Sequence, residues 1–241
     1  MLDLKRHLPN FFTCLNLSCG FLALVMVFYK DSEFLVLASY LIGLAAFFDF
    51  LDGFSARLLN QYSDFGKELD SLADMVTFGV VPGAIMFHLI MGAIPEANGL
   101  EIALVAVVIP ICSALRLAKF NIAPGNPDYF VGMPTPANAL FIGSLPLVIE
   151  YDQYGLAPYL GNDILLLIIT LVFSLLLVSP IKMFSLKFKN LRWASNQLRY
   201  IFLLLSIGFV VAFHVTAIPF IVILYTLLSF LQVIIGRNSK T

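Results

Sequence analysis

The sequence predicts an all-α polytopic membrane protein, and three observations carry that prediction. The chain of 241 residues is 60% hydrophobic and only 12% charged, against about 25% charged for an ordinary soluble chain. Its apolar residues fall in continuous runs of roughly twenty, the length a helix needs to cross about 30 Å of hydrocarbon. Its basic residues sort to one side when those runs are threaded through a bilayer. A net charge of −1 and the lack of a basic domain exclude nucleic acid as a partner. The same composition excludes a disordered chain and a secreted disulfide scaffold.

Eight segments qualify as spans. Residues 11–29 open the series; they lack a small-residue cleavage site and further spans follow, so they are not a signal peptide. Residues 35–59 and 69–91 come next and carry the acids discussed below. The fourth, 99–119, ends on Arg116 and Lys119. The fifth, 136–151, is short and contains Pro146. Residues 163–181, 197–214 and 217–236 complete the set. Strands are not expected, because the runs do not alternate as barrel strands do. No internal repeat or soluble domain is visible. Cys14, Cys19 and Cys112 lie in apolar runs without metal-ligand spacing, and His7, His88 and His214 are dispersed.

Orientation follows from the basic residues. With the N-terminus in the cytoplasm, all of the 14 basic residues except Lys30 fall on the cytoplasmic side. The outer loops receive Asp31, Glu33, Glu96, Glu101, Glu150, Asp152 and Asp163. A miscount of one span would scramble this sorting, so it supports eight spans with both termini cytoplasmic. Residues 182–199 form a basic, Trp-containing cytoplasmic segment suited to an anionic lipid surface or to anchoring the topology.

The informative stretch runs from Phe48 to Pro82. Asp49 and Asp52 lie near the end of the second span, and Asp70 and Asp74 near the start of the third. Carboxylates at membrane depth are expensive unless paired or coordinated, and they mark function. The spacings i,i+3 and i,i+4 place each pair on one helix face. About 15 residues (~23 Å) precede the first pair and about 19 (~28 Å) follow the second. Both pairs therefore sit at one height, just inside the cytoplasmic boundary. Four carboxylates in one pocket repel unless cations lie between them, and oxygen ligands favour Mg²⁺ or Mn²⁺. Two ions about 3.5–4 Å apart could be held. Gly53, Ala56 and Gly66 remove bulk beside the acids, and Arg57 offers a donor fork suited to phosphate. A cation pathway would also explain charge at depth, but not this joint spacing of Gly, Ala and Arg.

The pattern Asp49-x-x-Asp52-Gly53-x-x-Ala56-Arg57, eight residues, then Gly66-x-x-x-Asp70-x-x-x-Asp74 resembles the signature of the CDP-alcohol phosphatidyltransferases at every defining position. The resemblance implies a six-helix membrane core over 1–181, usually homodimeric. Residues 182–241 would then add the basic segment and two further spans. It implies that Asp49, Asp52, Asp70 and Asp74 hold two divalent cations, and that Asp74 is also the general base. Asp52, Gly53, Ala56, Arg57 and Gly66 would form the pocket for the cytidine diphosphate group. The implied reaction displaces CMP from CDP-diacylglycerol by an alcohol.

Two flanking blocks, Leu8–Phe21 and Cys112–Pro136, resemble the branch of the family whose acceptor is L-serine. Glycerol 3-phosphate, inositol 1-phosphate and choline are the other acceptors to weigh. Arg116 and Lys119 could meet an acceptor phosphate, or Arg116 the serine carboxylate. Asn10 and Thr13, entering the first span, could touch nucleotide or phosphate, or cap the helix. The implied setting is a multi-pass protein of the cytoplasmic membrane, with its site facing the cytoplasm.

Overall fold

A computed structural model describes residues 4–29, 31–94, 99–122, 129–152, 154–186 and 193–238. The architecture is all-α and membrane-type. Eight long helices occupy the eight apolar segments: α1 (Leu4–Val27), α2 (Ser32–Leu59), α3 (Asp64–Ala93), α4 (Gly99–Ile122), α5 (Thr135–Tyr151), α6 (Asp163–Val178), α7 (Trp193–Phe213) and α8 (Ala217–Asn238). Among the described residues, five helical stretches are long and apolar enough to cross a membrane. They are His7–Val27, Ser32–Leu59, Asp64–Ala93, Gly99–Ile122 and Asn196–Ile235, the last one bent through a 3₁₀ turn at His214–Thr216.

α5 and α6 are shorter for physical reasons. In α5 every residue from Phe141 to Val148 is buried, Pro146 included. It is a helix of the bundle interior, where the carbonyl freed by proline is shielded from lipid. α6 starts on Asn162, whose side chain accepts from the Leu165 amide, and stops before Ser179 and Pro180. Phe141 and Phe173 stack at 3.8 Å and join the two helices. The centre of the bundle is α3, with Phe78, Ile85, Met86 and Ile90 fully buried. Phe21, Phe47, Phe50, Leu175 and Ile207 point outward, more exposed apolar surface than water tolerates.

The expectation of no strands needs correcting. Tyr129–Val131 (β1) pairs antiparallel with Lys182–Phe184 (β2). The ladder is three residues long and joins segments more than fifty positions apart, so no local periodicity announces it. Gly132 follows β1 at φ +76°, and a Cβ there would strike the Leu177 carbonyl. Only glycine permits this approach. Lys182 lies over the Tyr129 ring, 4.5 Å from its centre. Part of the predicted cytoplasmic segment is thus a built element, with Met183 and Phe184 buried. Its Lys187, Lys189 and Arg192 lie outside the described residues.

The reversal between α2 and α3 positions the site. Asn60 ends α2 in the left-handed conformation (φ 52°), its amide bonded to the Ala56 and Arg57 carbonyls. Ser63 then caps α3, its Oγ accepting from the Gly66 amide at 3.0 Å. Immediately after Asp74, α3 widens into a π-helical stretch, Met75–Val80, an irregularity frequent at functional sites.

Candidate active site

The tight α2–α3 turn sets the acid pairs against one another. Carboxylate oxygens of Asp49, Asp70 and Asp74 all lie within 4.8 Å of each other. Asp74 is buried, and Asp70 Oδ1 is buried with no hydrogen-bond partner among the described residues. Three converging carboxylates with an orphaned oxygen form a hard, oxygen-only donor set of the kind divalent cations take. Asp52 is not part of this group. Its Oδ2 accepts from the Thr13 hydroxyl at 2.8 Å, one turn further along α2. The four acids foreseen in one pocket are therefore three in a cluster and one beside it.

Helix α1 supplies the second layer. Thr13 and Asn16, three residues apart, are buried on one face. Thr13 holds Asp52, and the Asn16 side-chain amide donates to Asp74 Oδ1 at 3.2 Å. The Thr77 hydroxyl donates back to the Asn16 carbonyl at 3.3 Å, where Gly20 leaves room for Thr77. Thr13 and Asn10 lie inside α1 rather than capping it.

Between α1, α2 and α3 opens a cavity of about 690 Å³, in the range of small-molecule sites. It is lined by Asn10, Thr13, Asp52, Gly53, Ala56, Arg57, Gly66 and Asp70, together with Lys67, Gln61, Tyr62 and Phe120. A Cβ on Gly53 would stand in open space, so the missing side chain is part of the cavity's volume. A Cβ on Gly66 would come to 3.0 Å from Asn10 Oδ1 and Ser63 Oγ. The predicted small residues thus line one wall, with Arg57 exposed at its rim.

Arg116 is buried on α4 and donates to the Thr135 hydroxyl at 3.2 Å. It lies within electrostatic reach of Asp74, on the α4 side of the acids. Lys119 is exposed and does not line the cavity. The lysine that does is Lys67, whose Nζ donates to the Asn121 carbonyl at 2.7 Å. Sequence reasoning placed Lys67 only as a topology marker and passed over Asn16. The signal was available: Asn16 repeats the helical spacing from Thr13, a polar pair on an otherwise apolar face.

A family model described as CDP-alcohol phosphatidyltransferase matches residues 6–177. The chain is 38% identical over 177 residues to a CDP-diacylglycerol–serine O-phosphatidyltransferase of Bacillus subtilis, covering 73% of this chain and 89% of that one. It is 34% identical over 208 residues to the protein of that name in Helicobacter pylori, covering 84% and 81%. An archaetidylserine synthase of Methanothermobacter thermautotrophicus is 34% identical over 152 residues, covering 62% of each chain.

Proposed function

The chain belongs to the CDP-alcohol phosphatidyltransferase family, and on that premise we propose that it transfers the phosphatidyl group of CDP-diacylglycerol to L-serine, giving phosphatidylserine and CMP. The observation that carries the reading is a cluster of three acids, one of which, Asp70, lines a nucleotide-sized cavity together with Asp52. The names of the relatives support serine as the acceptor.

The four aspartates would hold two divalent cations, Mg²⁺ or Mn²⁺, which when bound neutralise the pyrophosphate and the departing CMP. The chain's own groups do the rest. Gly53, Ala56 and Gly66 admit the cytidine diphosphate, with Arg57 and Lys67 as donors to its phosphates. The serine hydroxyl attacks the phosphorus that bears diacylglycerol, and the bond to CMP breaks with its electron pair on the leaving oxygen. Asp74 takes the hydroxyl proton as the new bond forms. Asn16 occupies Asp74 Oδ1 and so leaves the other oxygen for that proton. Arg116, buried on α4 within electrostatic reach of Asp74, faces the serine carboxylate.

The protein is an integral, multi-pass membrane protein. We read it as eight spans with both termini and the site on the cytoplasmic side, in the cell membrane and as a homodimer. The core is 1–181, and 182–241 adds two helices. The sorting of basic residues supports the orientation, and the family resemblance supports the dimer.

An acceptor panel tests the reaction. Purified protein with CDP-diacylglycerol and Mn²⁺ is offered serine, glycerol 3-phosphate, inositol 1-phosphate or choline. CMP release dependent on serine is expected. Exclusive use of another alcohol refutes the serine assignment, and cation flux without CMP release refutes the transferase.

A further inference from the structure

The end of α4 meets α3 beside the cavity through three hydrogen bonds that close on themselves. Lys67 Nζ donates to the Asn121 carbonyl at 2.7 Å. The Asn121 side-chain amide donates to Ser71 Oγ at 2.9 Å. The Ser71 hydroxyl donates to the Lys67 carbonyl at 3.1 Å, one turn back along α3, and Asn121 Oδ1 stands 3.2 Å from the same hydroxyl. Each of the three residues holds the next.

Asn121 is the penultimate residue of α4. Its carbonyl is among the last four of the helix, which lack an internal partner, at the negative end of the helix dipole. A lysine ammonium suits that position as a cap. Two observations go beyond capping. Lys67 and Phe120, the residue before Asn121, both line the cavity, as does Asp70, three residues after Lys67 and so on the same helix face. An ammonium also carries three N–H groups, and the Asn121 carbonyl is the only hydrogen-bond partner of Lys67 Nζ among the described residues. Two N–H groups remain for an anion in the cavity. A lysine left loose would spread its charge over many rotamers; tied to Asn121, this one keeps its charge at the cavity wall.

We infer that Asn121 and Ser71 are positioning residues for the lipid donor: they hold the Lys67 ammonium in place for the pyrophosphate of the CDP-linked lipid. This rests on the reading of Lys67 as a donor to those phosphates. It adds that α4, which lies outside the Asp49–Asp74 pattern, governs affinity for the donor.

The test uses the full chain in mixed micelles with serine and Mn²⁺, and reads the KM for CDP-diacylglycerol in a double-mutant cycle. Lys67→Met should raise that KM about tenfold, with the KM for serine unchanged. Asn121→Ala keeps the main-chain carbonyl but loses the tether to Ser71, and should raise it about threefold. Ser71→Ala, a smaller change, should do the same and carries the test if Asn121→Ala misfolds. Added to Lys67→Met, neither substitution should raise the KM further, because the group it positions is gone. An effect that persists undiminished in the Lys67→Met background overturns the positioning role and leaves Lys67 with the phosphates. Asn121→Ala and Ser71→Ala proteins with wild-type KM overturn it as well. Lys67→Met with wild-type KM removes Lys67 from the phosphates and overturns the proposal, while CMP release by the wild type stands. Wild-type protein that releases no CMP overturns the transferase reading itself.

Discussion

Asn16 donates its side-chain amide to Asp74 at 3.2 Å from a different helix. The bond ties α1 to the acid at the centre of the site, and it fixes which carboxylate oxygen stays open. A hydrogen bond to a charged group contributes about 1.5–3 kcal/mol. Asn16→Leu should therefore lower kcat about 10- to 100-fold with both KM values within threefold. Steady-state kinetics with radiolabelled serine check this. A rise confined to the KM for CDP-diacylglycerol would place Asn16 with the nucleotide instead.

Gly53 offers a cleaner perturbation, because a Cβ there meets nothing. Gly53→Leu should leave folding intact and occupy the cavity. The expected result is a KM for CDP-diacylglycerol about tenfold higher, roughly the 1.4 kcal/mol that separates a tenfold change in affinity, with the KM for serine unchanged. Competition by CMP, which shares the cavity, should weaken in parallel.

Cation dependence follows from the acid cluster. Chelation should abolish turnover, and Mn²⁺ or Mg²⁺ should restore it. Asp70→Asn removes a charge from the three-carboxylate group and should not recover at any metal concentration. Asp52→Asn should recover in part, because Asp52 stands beside the cluster and keeps its bond from Thr13. Titration of each variant with Mn²⁺ distinguishes the two behaviours.

Much of this was legible in the sequence, for physical reasons that differ by element. The long apolar helices were readable because a membrane helix must satisfy its backbone internally and show its length in composition. Asp49, Asp52, Asp70 and Asp74 were readable as facing pairs because i,i+3 and i,i+4 spacing fixes a helix face. The split of Asp52 from the other three was not, since it depends on a bond from Thr13, 39 positions away. The β1–β2 ladder was hidden for a similar reason: three-residue strands have no periodicity of their own. Lys119 and Lys67 illustrate the limit from the other side. Both are cytoplasmic lysines by charge sorting, and only packing decides which one lines the cavity.

The last two helices have a structural role that can be measured. The Tyr225 hydroxyl on α8 donates to the Phe184 carbonyl of β2 at 3.0 Å, and its ring packs against Phe184 and Phe202. Losing one such bond costs about 0.5–1.5 kcal/mol. Tyr225→Phe should lower Tm by about 2–4 °C while kcat at saturating substrates stays near wild type. Thermal unfolding in detergent, followed by activity at low temperature, separates the two effects.

The central claim is a single displacement at the lipid-bearing phosphorus by the serine hydroxyl. The most direct measurement is the stoichiometry of products from purified protein supplied with CDP-diacylglycerol, radiolabelled serine and Mn²⁺. One CMP should appear for each phosphatidylserine formed, with neither released when serine is omitted. CMP released without serine, or released with no label entering lipid, would contradict it.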